Sequence, residues 1–259
     1  MTEYLLAAVG GALIGFLLTL FGGGGSVLAT PWLIYIVGVA DTHIAIGTSA
    51  AAVSANALAG LITQARAGRV KWPCATIFAV TGLSGSLAGA HLGKLLDGRA
   101  LLMWFAIAMI AVAVSMALPK KSVGNPDVHF TPPMMIRLVP IGLTTGFAAG
   151  FFGIGGGFLI VPGLMAATGM TLANAAASSL ESVALFGAAT SASYAWSGLI
   201  NWALVGALVV GGFAGTGLAL PLANRLTHHA TLARRIFAAM IVLVAIYILT
   251  IAEIGRAHV

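Results

Sequence analysis

Gly15-Phe16-Leu17-Leu18-Thr19-Leu20-Phe21-Gly22-Gly23-Gly24-Gly25-Ser26 starts as an apolar helix and runs into four consecutive glycines. Gly146-Phe147-Ala148-Ala149-Gly150-Phe151-Phe152-Gly153-Ile154-Gly155-Gly156-Gly157 restates the pattern in the second half. Both runs lead at the same spacing to a proline, Pro31 and Pro162, and then to Gly38 and Gly169. A glycine inside a helix costs about 1 kcal/mol relative to alanine, so each cluster is a break in the helix. Hydrocarbon tolerates broken backbone only where protein buries it or a wet cavity adjoins it.

The repetition extends beyond the glycines. Gln64 and Tyr194 each stand eight residues before a tryptophan, Trp72 and Trp202. On this alignment Thr48 is equivalent to Ser179, Ala50 to Glu181 and Asp41 to Leu172, and Ala88-Gly89 is matched to Ala214-Gly215. A unit of about half the chain therefore occurs twice. Residues 1–118 form the first unit and 134–252 the second. The polar stretch 119–133, with Lys120, Lys121, Asn125, Pro126, Asp127, Pro132 and Pro133, is a cytoplasmic linker. Residues 253–259 are a short polar tail.

Composition places both units in a membrane. Of 259 residues, 60% are hydrophobic and 7% charged, against roughly 25% charged in a soluble domain. So few charges cannot cover a water-facing surface, and disordered chains are polar and charge-rich. Cys74 is the only cysteine, which excludes an intrachain disulfide and a cysteine metal cluster. Apolar runs long enough to span are Tyr4–Phe21, His43–Ala65, Trp72–Leu92, Ala100–Leu118, Met134–Phe152, Leu172–Gly198, Asn201–Ala223 and Ile236–Ala252. No Lys or Arg precedes the first, and no cleavage site follows it, so it is read as a permanent span. Val27–Val39 and Phe158–Gly169 are shorter, and each follows a glycine cluster.

Loop charge decides whether the short runs return across the membrane, because cytoplasmic loops are enriched in Lys and Arg. If they cross, Arg66, Arg69, Lys71, Lys120, Lys121, Arg137, Arg225, Arg234 and Arg235 share one side and Lys94, Arg99 and Arg256 the other. If they do not, the split is nearly even. The expected fold is thus an all-α polytopic membrane protein. It has two inverted repeats of about five transmembrane segments each, with short broken helices after the glycine clusters and both termini outside. The net charge of +6 then records orientation, and no nucleic acid partner is expected.

A helix that starts after a break offers free backbone N–H groups and the positive end of its dipole, which together suit an anion. Inverted repeats would bring two such starts near the midplane, where transporters bind substrate. The candidate binding residues are Gly22, Gly23, Gly24, Gly25 and Ser26 in the first half, and Gly153, Gly155, Gly156 and Gly157 in the second. The hydroxyls of Thr48, Ser49, Ser178 and Ser179 follow them. Gly11, Gly15, Gly89 and Gly215 read instead as close-packing positions between helices. Phosphate-loop and dinucleotide signatures are absent: no Lys-Ser/Thr follows the glycines, and no βαβ pattern surrounds them.

Glu181 is the one acid well inside a span, where a charge costs roughly 2.5 kcal/mol or more. It is a candidate coupling or gating residue, as are Asn56, Gln64 and Tyr194; the bland reading is a neutral carboxyl bonded within the bundle. The histidines show neither HxxxH nor HExxH spacing, so no metal, no cofactor and no enzyme activity is expected.

At these residues the sequence resembles the TauE/SafE family of sulfite exporters, also called the toluene-sulfonate uptake permeases. The duplicated glycine run, the Gly68-Arg69-Val70-Lys71-Trp72 turn and Gly85-x-x-x-Gly89 carry the resemblance, which covers almost the whole chain. The first copy departs where Gly23 stands for the apolar residue seen as Ile154, and Ser26 for Gly157. The resemblance implies transport of sulfite, a sulfonate or a related oxyanion across the bacterial inner membrane; with no ATP-binding motif in the sequence, the expected mechanism is secondary export by alternating access. Proton-coupled uptake of sulfonates or another small organic anion, and a passive anion channel, are the alternatives. The expected partners are the small anion and the lipid bilayer, with a homodimer as the candidate assembly.

Overall fold

The computed structural model describes residues 1–117, 124–152, 157–226 and 235–246, apart from 237 and 240. Gly153, Gly155 and Gly156, most of the last expected span and the tail lie outside the described residues. The helices are α1 (Thr2–Phe21), α2 (Ala29–Trp32), α3 (Thr42–Arg66), α4 (Trp72–Gly93), α5 (Gly98–Ala117), α6 (Pro132–Phe152), α7 (Gly157–Thr168), α8 (Leu172–Trp196) and α9 (Trp202–Leu226). A 3-10 stretch, Gly22–Leu28, precedes α2, and a π-turn, Leu33–Val37, follows it. No strand occurs among the described residues, only an isolated bridge between Asn125 and Met170. Among the described residues five helical stretches are long and apolar enough to cross a membrane: Thr2–Val37, Thr42–Arg66, Trp72–Gly93, Pro132–Phe152 and Trp202–Ala219. The chain is an all-α polytopic membrane protein.

Thr2–Val37 is not one straight rod. Gly22 has φ 62° and ψ −145°, a conformation open only to glycine, and the chain reverses there. Gly25 returns against Leu17 and Leu18, and the Trp32 indole packs on Gly10 and donates to the Leu6 carbonyl at 2.9 Å. α1 and the Gly22–Val37 segment thus form a hairpin. In the second half α7 folds back on α6, with Gly163 beside Ile141 and Thr145.

Glycine lets helix backbones touch, which in lipid takes the place of a hydrophobic driving force. On α1, Gly11 and Gly15 face the carbonyls of Leu208 and Gly212; on α9, Gly211 and Gly215 face those of Ala8 and Ala12. A Cβ at any of the four would overlap that backbone. α4 and α6 meet the same way, Gly85 and Gly89 on Leu143 and Phe147, and Gly146 and Gly150 on Gly82 and Ser86. Such contact favours short Cα–H···O bonds. Gly11, Gly15, Gly89 and Gly215 therefore do pack helices.

α3 and α8 run antiparallel through the centre. Gly47 lies against Leu199, Ser54 Oγ donates to the Ala184 carbonyl at 2.7 Å, and Gly60 faces Leu180. Because these helices are antiparallel, the α1 and α6–α7 hairpins enter the bundle from opposite ends. The tip of the first lies inside the bundle. α1 runs parallel to α9 and ends level with about Leu218, eight residues or roughly 12 Å short of the α9 end.

The structure also corrects the internal alignment. α3 and α8 are both 25 residues, capped by Asp41 and Thr171, whose side chains accept from the N–H groups of His43 and Asn174. Between the left-handed glycine and the cap stand Val39 and Ala40 in one half but Met170 alone in the other. That one-residue difference makes Thr48 equivalent to Ser178 and Ala51 to Glu181. In the paired helices α4 and α9, Gly85 matches Gly215, so the Ala88-Gly89 match is displaced by one turn.

Candidate functional site

The tip of the first hairpin is wholly buried from Gly22 to Val27. Gly22 packs against the Ala176 carbonyl and Ser179 Oγ. The Gly23 N–H donates to Ser179 Oγ at 3.0 Å, and Ser179 Oγ donates to the Ala176 carbonyl at 2.8 Å. Across the tip, Gly23 and Gly157 touch backbone to backbone, leaving no room for a Cβ on either. Ser26 Oγ donates to the Gly23 carbonyl at 2.8 Å. Ser49 Oγ lies 2.7 Å from Thr30 Oγ1 and 3.0 Å from the Ile46 carbonyl. Its one proton goes to Ile46, so Thr30 is the donor in that pair.

The crossing therefore gathers Gly22, Gly23, Gly24, Gly25, Ser26, Gly157 and Ser179, with Ser49 reached through Thr30. It holds neutral hydrogen-bonding groups and no fixed charge. The Gly23 N–H and the Ser26 and Ser179 hydroxyls are satisfied within the protein, and the Ser179 oxygen stands before the Gly23 N–H where an anion oxygen would sit. A free helix start was expected here; a 3-10 segment with its Gly23 N–H already taken is what forms. The tighter winding uses i+3 bonds and leaves fewer orphan donors.

Thr48 and Ser178 do not join the crossing. Thr48 Oγ1 accepts from the Asn201 N–H at 3.0 Å, and Ser178 Oγ accepts from the Lys71 N–H at 2.9 Å. Each hydroxyl thus ties the start of α9 or α4 to the other half. Six helix residues on either side of the Ser54–Ala184 contact put them about 18 Å apart.

Glu181 faces away from the crossing. Two residues from Ser179 is about 200° around a helix, so the carboxyl projects from the opposite side of α8. Its Oε1 accepts from Thr76 Oγ1 at 2.9 Å, and Oε2 is buried with no hydrogen-bond partner. The repeat equivalents of Glu181 and Thr76 are Ala51 and Gly206, so the pair exists once. Gln64 Nε2 donates to the Thr19 carbonyl at 3.0 Å, tying α3 to the first hairpin, and Arg69 Nη1 donates to Gln64 Oε1 at 3.2 Å. Tyr194 is fully buried with an unpartnered hydroxyl; its ring centroid lies 6.3 Å from that of His43, and Lys94 Nζ lies 5.8 Å from the Tyr194 centroid. Asn56 lies between α1 and α9, its Nδ2 donating to the Leu208 carbonyl at 3.3 Å. No group of His, Cys, Asp and Glu among the described residues has the arrangement to hold a metal.

The chain matches a known transporter family: the model described as sulfite exporter TauE/SafE covers residues 7–248. The chain belongs to the TauE/SafE family. It is 46% identical over 249 residues to a "probable membrane transporter protein" of Xylella fastidiosa (strain Temecula1), covering 95% of both chains. A protein of the same description from Haemophilus influenzae is 31% identical over 207 residues, 77% of this chain and 76% of that one. YunE of Bacillus subtilis, also a "probable membrane transporter protein", is 27% identical over 234 residues, with 82% and 86% covered. No solved structure matches. This TauE/SafE protein is a multi-pass membrane transporter and not an enzyme. Sequence reading of the site missed Thr30 and Thr76. Both are isolated threonines whose partners lie on other helices, so no spacing signals them.

Proposed function

We propose that this transporter is a secondary carrier of a small sulfur oxyanion, sulfite or a sulfonate, exporting it across the bacterial inner membrane. The observation that carries the proposal is the buried crossing at Gly23 and Gly157, where the Gly23 N–H and the Ser26 and Ser179 hydroxyls lie together with no charged side chain among them. Such groups bind an oxyanion without the desolvation cost of a buried permanent cation. The family description agrees with this substrate class.

The two halves act as inverted repeats, with both termini periplasmic and the linker at 119–133 cytoplasmic. Alternating access is rocking of one hairpin past the other about the antiparallel α3–α8 pair. In the outward step an anion oxygen replaces Ser179 Oγ at the Gly23 N–H. The membrane potential, negative inside, drives an anion outward with about 2.3 kcal/mol per charge per 100 mV, so export needs no further coupling. The unpartnered Oε2 of Glu181 favours one second reading, in which proton uptake at Glu181 couples to anion import.

Reconstituted liposomes loaded in turn with sulfite, sulfate, thiosulfate and a sulfonate test the proposal. Saturable efflux of sulfite or the sulfonate supports it. Flux that stays proportional to concentration indicates a channel, and no flux of any of the four overturns the substrate class.

A further inference from the structure

Asn56 projects from α3 into the seam between α1 and α9 and is 1% exposed. Donation from its Nδ2 to the Leu208 carbonyl fixes the amide, since the flipped orientation would set two oxygens against each other. Oδ1 is then buried with no hydrogen-bond partner. Buried acceptors are nearly always satisfied, and an orphan calls for a water or an ion.

Other neutral oxygens line the same α1–α9 seam about one turn further along. Thr19 Oγ1 donates to the Gly15 carbonyl at 2.8 Å, and Thr216 Oγ1 donates to the same carbonyl at 3.5 Å. Both threonines are buried, and both hydroxyls keep lone pairs to offer. Gly212 joins the groups: a Cβ there would overlap the Asn56 amide, and its carbonyl packs on Gly15. Gln64 closes the cluster through the Thr19 carbonyl. The equivalent positions in the other half are Phe186, Gly150 and Ser86, so packing symmetry does not demand this set.

We propose that this cluster binds a small monovalent cation of the sodium class, held by Asn56 Oδ1 with the Thr19 and Thr216 hydroxyl oxygens. The donor set is hard, neutral oxygen, as in the Na+ sites built beside broken helices in carriers. It contains no carboxylate, which a divalent cation requires. Asn56 stands two residues from Ser54, at the centre of the bundle where α3 crosses α8. Among the described residues no Lys or Arg is buried, so a bound cation would supply the positive charge that the bundle lacks. That last consequence rests on the anion-carrier reading; cation binding itself does not.

The test is equilibrium binding of radioactive Na+ to the purified full chain in detergent, with no anion present. The wild type should bind Na+ saturably, with K+ a weak competitor. Asn56→Leu and Thr216→Val should each weaken binding by about tenfold or more, as for a lost metal partner. Both variants are first shown to be monodisperse, and Thr216→Val, which keeps side-chain volume, stands if Asn56→Leu fails to fold. No Na+ binding by the wild type would mean that water alone satisfies Asn56, and would overturn the proposal. So would unchanged binding in the folded variants. Sulfite flux from the same preparation tests the carrier reading separately.

Discussion

Gly23 and Gly157 touch backbone to backbone where two hairpins from opposite ends of the bundle cross. Neither can carry a methyl group without pushing the other aside. Gly157→Ala should cost about 1–3 kcal/mol of stability through overpacking, while reducing flux far more than the remaining folded fraction explains. Flux per folded molecule, from a thermal melt and an efflux assay on one preparation, separates the two effects.

Ser179 is the acceptor for the Gly23 N–H. Ser179→Ala leaves that donor unpaired in the resting protein and removes the hydroxyl that an anion would displace. The variant should bind sulfite with altered affinity, since the competing acceptor is gone. An unchanged half-saturation concentration would remove Ser179 from the site.

Thr48 and Ser178 hold the starts of α9 and α4 through buried hydroxyl oxygens. Thr48→Val and Ser178→Ala should each cost about 1–3 kcal/mol, the penalty of an orphaned backbone donor. Flux per folded molecule should stay near wild type in both. Thermal denaturation in detergent measures the first effect and efflux the second.

Glu181 shares one carboxyl oxygen with Thr76 and leaves the other unpartnered. If a proton on this carboxyl couples to transport, Glu181→Gln should flatten the pH profile of flux while the Thr76 contact survives. Thr76→Val should shift that profile without flattening it. An unchanged profile in Glu181→Gln leaves the potential-driven export reading alone.

Much of the architecture is legible in the residues. The glycine run of Gly22–Gly25 announces the reversal, because no other residue tolerates the Gly22 backbone. The spacings Gly11–Gly15 and Gly85–Gly89 announce helix contacts, because small residues one turn apart let backbones meet. What misleads is register. A single residue lost before Thr171 slides α8 against α3, and the sequence match carried over from the glycine run then sets Thr48 against Ser179. The direction of a side chain is similarly hidden. Glu181 and Ser179 are near neighbours in sequence yet lie on opposite sides of one helix. The capping tasks of Thr48 and Ser178 depend on contacts with the other half, which no local pattern encodes.

The central claim is that a small sulfur oxyanion passes through the Gly23–Gly157 crossing by a carrier mechanism. The most direct measurement is sulfite exchange across liposomes holding wild-type protein or Gly23→Ala. Sulfite outside should accelerate efflux of labelled sulfite from within for the wild type, and Gly23→Ala should fall to the protein-free rate while remaining folded. Equal exchange by the folded variant, or wild-type efflux that external sulfite leaves unchanged, would contradict the account.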